Sequence, residues 1–168
     1  MNKTLVLALT LTFILSGYLA TKCYAQSSKD MSKSEPQTVF AKGQAAPSKF
    51  FTGNAYVTSL ISNDSVMTTV AGEVFFEAGA RSNWHSHPAG QILIITAGVG
   101  YHQIKGKPIE VLHKGDVVKC PPDVDHWHGA SKSNSMAHIY ILPNTEKGIV
   151  EWKEPVTDDE YGKVYSEK

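Results

Sequence analysis

Two histidine pairs are the residues of this chain best suited to chemistry. His85 and His87 alternate within Gly-Ala-Arg-Ser-Asn-Trp-His-Ser-His-Pro-Ala-Gly-Gln, residues 79–91. His126 and His128 repeat that spacing in Pro-Pro-Asp-Val-Asp-His-Trp-His, residues 121–128. On an extended strand, residues i and i+2 point to one face, so each pair aims two imidazoles the same way. Gln91 follows a Pro-Ala-Gly turn and can fold back toward His85 and His87 on the next strand. Imidazole is the commonest metal ligand near neutral pH. Three imidazoles and one amide oxygen suit a borderline divalent first-row metal. One such pair alone is equally consistent with two hydrogen-bonded histidines. Two pairs, each bracketed by Gly and Pro turns, point to a metal site.

The elements that must position these residues are strands. Segments rich in Val, Ile, Tyr and Phe, separated by turn residues, predict strands at about 54–61, 66–77, 82–87, 91–97, 99–105, 108–113, 116–120, 125–130 and 136–142. Ile104-Lys105-Gly106-Lys107-Pro108 reads as a hairpin tip and His113-Lys114-Gly115-Asp116 as a tight turn. Helical periodicity is absent until about residue 157, where Thr157 and Glu160 have the spacing of a capping box. Many short strands with frequent turns predict an all-β closed sandwich or barrel around one small cavity. Met67, Val74, Phe76, Ile92, Ile94, Val117, Trp127 and Ile139 are expected to divide between core and cavity wall. His102 and His113, near hairpin ends, are expected to be exposed, and Arg81 to pair with Glu77 across a turn.

The N-terminus has a different character. Lys3 precedes a nearly continuous apolar run from Leu5 to Ala20, and Cys23-Tyr24-Ala25 provides an A-x-A-like cleavage site. Residues 1–25 therefore read as a signal peptide. The run falls short of a usual membrane span. The expectation is an exported protein, periplasmic or secreted, with no stable membrane insertion after cleavage. Removing Lys3 and Lys22 takes the 16 basic residues to 14 against 16 acidic, a mature net charge of −2. That balance argues against a nucleic-acid partner. Cys23 leaves with the leader, so Cys120 has no partner for an intramolecular disulfide. Residues 26–49 read as an N-terminal arm, with a strand near Thr38-Val39-Phe40 that could join a partner subunit. The barrel is expected over 50–143 and a tail over 144–168. Pairing of an open sheet edge predicts a homodimer or higher homo-oligomer.

The paired motifs resemble those of the cupin superfamily. Gly79 to Gly98 is similar to the first cupin motif, G-x5-H-x-H-x3-E-x6-G, with Gln91 in place of the acid. Gly115 to Ala130 is similar to the second, G-x5-P-x-G-x2-H-x3-N, with Asp123 replacing the glycine and Ala130 the asparagine. The resemblance spans about residues 50–143. It implies an all-β jelly-roll barrel, the cupin double-stranded β-helix, with metal ligands His85, His87, Gln91 and His126. A neutral amide in place of a carboxylate leaves the full charge of a 2+ ion, which favours Lewis-acid polarisation over redox cycling.

More closely, Phe51-Thr52-Gly53, Trp84-His85-Ser86-His87-Pro88, Gly90-Gln91 and His126-Trp127-His128-Gly129-Ala130 are similar to small bacterial single-domain cupins. These include manganese-dependent hydroxynitrile lyases and carboxymuconolactone-decarboxylase-associated cupins. The resemblance implies catalytic roles for His128, His138 and Ser82, the last replacing a threonine. His128 could be a general acid or base, an orienting group or a further nitrogen ligand. His138 alternates with Met136 and Tyr140 and faces either the cavity or the core. Ser82 either donates to a substrate oxygen or serves the turn. One divalent ion, Mn²⁺ or Fe²⁺, is implied, with Zn²⁺ able to occupy the site as purified. The substrate expected is a small neutral hydroxy or carbonyl compound. A cupin dioxygenase and a non-enzymatic ligand-binding cupin are the alternatives.

Overall fold

The computed structural model describes residues 36–165. The expected signal peptide, residues 26–35 of the arm and residues 166–168 lie outside them. The strands are β1 (Gln44–Ala45), β2 (Phe51–Thr52), β3 (Ala55–Ile61), β4 (Val70–Phe76), β5 (Arg81–Ser82), β6 (His85–Ser86), β7 (Gln91–Ile104), β8 (Glu110–His113), β9 (Val117–Cys120), β10 (His126–Ala130), β11 (Met136–Leu142) and β12 (Glu151–Trp152). A short α-helix, α1 (Asp158–Gly162), follows, and 3-10 turns lie at Thr145–Lys147 and Lys163–Tyr165.

Among the described residues, every strand pairing is antiparallel. One sheet runs β1-β3-β4-β11 to the first half of β7, which also carries β9. The other holds the second half of β7 with β8 and β10, then β5, β2, β6 and β12. This is the expected all-β jelly roll. Strand β7 serves both sheets, where two separate strands were expected. It turns at Gly98, whose φ is 74°. A side chain there would also collide with the Ser135 carbonyl oxygen, so glycine is required for both backbone and space.

Val74, Phe76, Leu93, Ile95 and Met136 form the core between the sheets. A second cluster lies behind β10, where Trp84, Tyr101 and Trp127 meet Val156 and Tyr161 of the C-terminal segment. The capping box forms: the Thr157 hydroxyl accepts from the Glu160 N–H at 3.2 Å, and the Glu160 carboxylate accepts from the Thr157 N–H at 2.8 Å. Tyr161 then donates its hydroxyl to the Ala130 carbonyl at 2.8 Å.

Several local expectations are corrected. The strand expected from residue 66 starts at Val70, because the Asp64 carboxylate takes the N–H groups of Val66 and Met67 and makes a turn. Met67 and Val117 are exposed, at 55% and 65%, and join neither core nor cavity. Residues 39–40 form a bend, with the Thr38 hydroxyl donating to the Phe40 carbonyl. The arm strand is β1 instead, paired to β3 of the same chain. Arg81 does not pair with Glu77. Its guanidinium is buried under the tail, donating to the Val156 carbonyl and to Asp158. Glu77 instead accepts from Lys42 and Asn54. Among the described residues, no helix is long and apolar enough to cross a membrane.

Candidate metal centre

Alternation along β10 turns His126 and His128 inward and Trp127 outward into the second cluster. His126 stands opposite His85 of β6 in the register. The Pro-Ala-Gly turn then reverses the chain at Gly90, where φ is 80° and the N–H donates to the His87 carbonyl at 3.0 Å. Gln91 starts β7 beside the histidines.

Each expected histidine ligand is held by a backbone carbonyl. His85 Nδ1 lies 2.9 Å from the Asn83 oxygen, His126 Nδ1 2.9 Å from Val124 and His87 Nδ1 2.6 Å from Ile149. A carbonyl only accepts, so each Nδ1 carries the hydrogen and each Nε2 offers a lone pair. His126 Nε2 lies 3.2 Å from Gln91 Oε1. His87 Nε2 is buried with no hydrogen-bond partner among the described residues. The rings of His87 and His85 are 5.1 Å apart edge to face, and those of His85 and His126 4.4 Å apart.

Burial drives the imidazoles toward neutrality. It places His126 and His138 at about 4, lowers His87, and pushes His85 and His128 well below the usual range, with neighbouring imidazoles adding to the effect on both. Neutral imidazoles, oriented lone pairs and an orphaned nitrogen form a donor set that fits a divalent first-row ion.

His128 stands on the same side. Ring nitrogens of His85, His126 and His128 come within 4.8 Å of one another. Among the described residues, His128 Nδ1 is buried with no hydrogen-bond partner, His138 is buried with no side-chain hydrogen-bond partner, and the two rings meet edge to face at 4.7 Å. The structure thus brings His85, His87, Gln91, His126, His128 and His138 together. Ser82 is buried in β5, and its hydroxyl accepts from the His128 backbone N–H at 3.2 Å. It is not among the cavity-lining residues.

A cavity of about 260 Å³ opens onto His85, His87, Gln91, His128 and His138, and its wall is mostly apolar. Phe50, Phe51, Ile149, Val150 and Trp152 supply much of that wall. They come from outside the two motifs, and sequence reading missed them. The available signal was a lone tryptophan between Glu151 and Lys153. Among the described residues, no Lys or Arg lines the cavity. His102, expected to be exposed, is 1% exposed and reaches Cys120 and Glu110, because its side chain packs inward against Cys120 and the His126 ring. His113 is exposed as expected.

Comparison with known proteins agrees with this architecture. Residues 72–142 match the Cupin domain family. A protein named (R)-mandelonitrile lyase, from Granulicella tundricola, is 41% identical over 115 residues, covering 68% of this chain and 88% of its own. A cupin-like protein from Thermotoga maritima MSB8 superposes with a TM-score of 0.76 at 46% identity, covering 79% of this chain and 100% of that one. The DMSP lyase DddQ from Ruegeria pomeroyi DSS-3 shares the fold at 20% identity and a TM-score of 0.54, covering 73% of this chain and 64% of that one. The chain belongs to the cupin superfamily. Its buried histidines form a group that could hold a metal ion.

Proposed function

We propose that this cupin is a metal-dependent lyase that cleaves a small neutral cyanohydrin into a carbonyl compound and HCN. The observation that carries the reading is the meeting of an oriented imidazole and amide donor set with the buried His128 and His138 rings on one apolar cavity. The relative named as a mandelonitrile lyase supports it. His85, His87, Gln91 and His126 are the proposed ligands of Mn²⁺ or Fe²⁺, with Zn²⁺ able to occupy the same donors. A bound ion would supply Lewis-acid polarisation of the substrate hydroxyl.

The chain's own residues do the rest. His128, neutral and unpartnered at Nδ1, takes the hydroxyl proton. The carbon–cyanide bond breaks, the carbonyl forms, and cyanide leaves with the electron pair. The proton returns from His128 to give HCN. His138, against the His128 ring, orients the leaving cyanide. Ser82 is a positioning residue, holding the backbone of His128 through its hydroxyl. The apolar wall excludes water and accepts the organic part of the substrate.

The test is mandelonitrile cleavage by the manganese-loaded protein without dioxygen. Faster cleavage than by the metal-free protein is expected; equal rates would defeat the lyase reading.

A further inference from the structure

Two cross-strand pairs of β7 meet behind the metal centre. Gln91 stands opposite Cys120 of β9, and His102, further along the same strand, stands opposite Glu110 of β8. Glu110 Oε2 lies 3.0 Å from His102 Nδ1, His102 Nε2 lies 3.4 Å from Cys120 Sγ, and Cys120 Sγ lies 3.9 Å from Gln91 Oε1. His102, Cys120 and Gln91 are buried, while the Glu110 side chain is 64% exposed. The chain therefore runs from the surface to a proposed metal ligand.

The direction of the hydrogens follows from the chemistry of the groups. A carboxylate only accepts, so His102 Nδ1 carries the ring hydrogen. With the hydrogen of the neutral ring on Nδ1, Nε2 is left as an acceptor. Cys120, buried and 3.4 Å from that nitrogen, can donate its S–H to it. A thiol has one hydrogen. Given to His102 Nε2, it is not available to Gln91 Oε1.

We propose that Glu110 and His102 are positioning residues for Gln91: they draw the Cys120 hydrogen onto His102 Nε2 and keep the Gln91 amide oxygen free to hold the metal. The proposal rests on the metal reading above. Without the imidazole, the thiol turns to Gln91 Oε1, and an incoming ion must displace that hydrogen bond. Partners one step removed from a metal typically change its affinity 10–100-fold. The thiol is a weak donor, so the lower end applies.

The experiment is Mn²⁺ titration of the full chain, followed by the electron paramagnetic resonance of free Mn²⁺. His102→Ala should weaken binding about tenfold, and Glu110→Gln should weaken it in the same direction but less. Cys120→Ala should bind like wild type. In the Cys120→Ala background, His102→Ala should cause no further loss, because no competing hydrogen remains. Equal losses in both backgrounds, or no loss in either, would overturn the proposal. Glu110→Gln, at an exposed side chain, gives the same contrast between the two backgrounds if His102→Ala does not fold.

The S–H stretching band of metal-free protein gives a second readout, with Cys23→Ser leaving Cys120 as the sole thiol. The band should move to higher frequency in His102→Ala, and an unmoved band would also overturn the proposal. Failure of wild type to bind Mn²⁺ sinks the metal reading and the proposal together. Retained binding with background-independent losses sinks the proposal alone.

Discussion

Trp152 lies against the imidazole of His85, with ring centroids 4.9 Å apart at 41°. The same indole stacks on Phe50 at 4.6 Å and meets Phe51 edge to face at 5.6 Å. Strand β12 places it there by pairing Trp152 directly with His85. One residue of the C-terminal segment thus forms both a wall of the cavity and a support for a proposed ligand. An aromatic contact of this kind contributes about 0.5–1.5 kcal/mol beyond area burial. Trp152→Ala should therefore raise KM for mandelonitrile by roughly tenfold. Metal content should stay near one ion per chain. An unchanged KM would remove Trp152 from the substrate site.

The two ways of grouping the histidines make different predictions. His85→Ala and His126→Ala should each abolish tight metal binding, read by elemental analysis after dialysis. His128→Ala should retain the metal and lose about 10²–10⁴-fold in turnover. Loss of metal in His128→Ala would make it a ligand instead, consistent with its approach to His85 and His126.

Metal should also stabilise the fold. His87 Nε2 is buried and unpartnered, and a coordinate bond would satisfy it. At an ion concentration 100 times Kd, binding adds about 2.7 kcal/mol. For a domain of this size, that raises Tm by roughly 10 °C. Calorimetry with Mn²⁺ and with a chelator checks it, and coincident transitions would count against the site.

Glu73 offers a test of pH dependence away from the centre. It is 2% exposed, and burial raises its pKa although the Thr96 hydroxyl donates to it at 3.1 Å. With a raised folded-state pKa, the folded chain holds the proton more tightly than the unfolded chain. This contribution is fully present below the ordinary carboxylate pKa and is lost as pH rises through the folded value. Glu73→Gln removes that loss. Its Tm relative to wild type should be higher at pH 7 than at pH 4, and a pH-independent difference would contradict the assignment.

Thr157→Ala removes one half of the capping box. The expected loss is about 1 kcal/mol, and the released helix would loosen Tyr161 from the Ala130 carbonyl. Urea unfolding measures the loss. A stability equal to wild type would show that packing of Tyr161 alone holds this segment.

Much of the centre is legible in the sequence because strand geometry acts locally. Alternation at His85/His87 and at His126/His128 implies shared faces without any knowledge of the fold. Gly90 and Gly98 mark backbone turns that only glycine makes easily, so strand ends near them were within reach. The Thr157–Glu160 spacing encodes a cap made within one helical turn, and it forms. Gly98 also shows the limit: a positive φ there bends one strand between two sheets, where the sequence reads as two strands.

What only the tertiary structure decided depends on pairing between distant strands. His102 looked like a hairpin-end histidine, yet it packs against the His126 ring, and Cys120 and Glu110 meet it. Arg81 turned from Glu77 to Val156 and Asp158 because the tail folds over β5. Trp152 and the Ile149 carbonyl on His87 reach the site from the segment that reads as tail, and the Phe50–Phe51 wall reaches it from the first residues of the barrel, outside both motifs. The amino-acid sequence determined which residues could hold a metal, because ligand type and strand period are local properties. Tertiary structure decided what surrounds them, because long-range register and packing have no signature within a single segment.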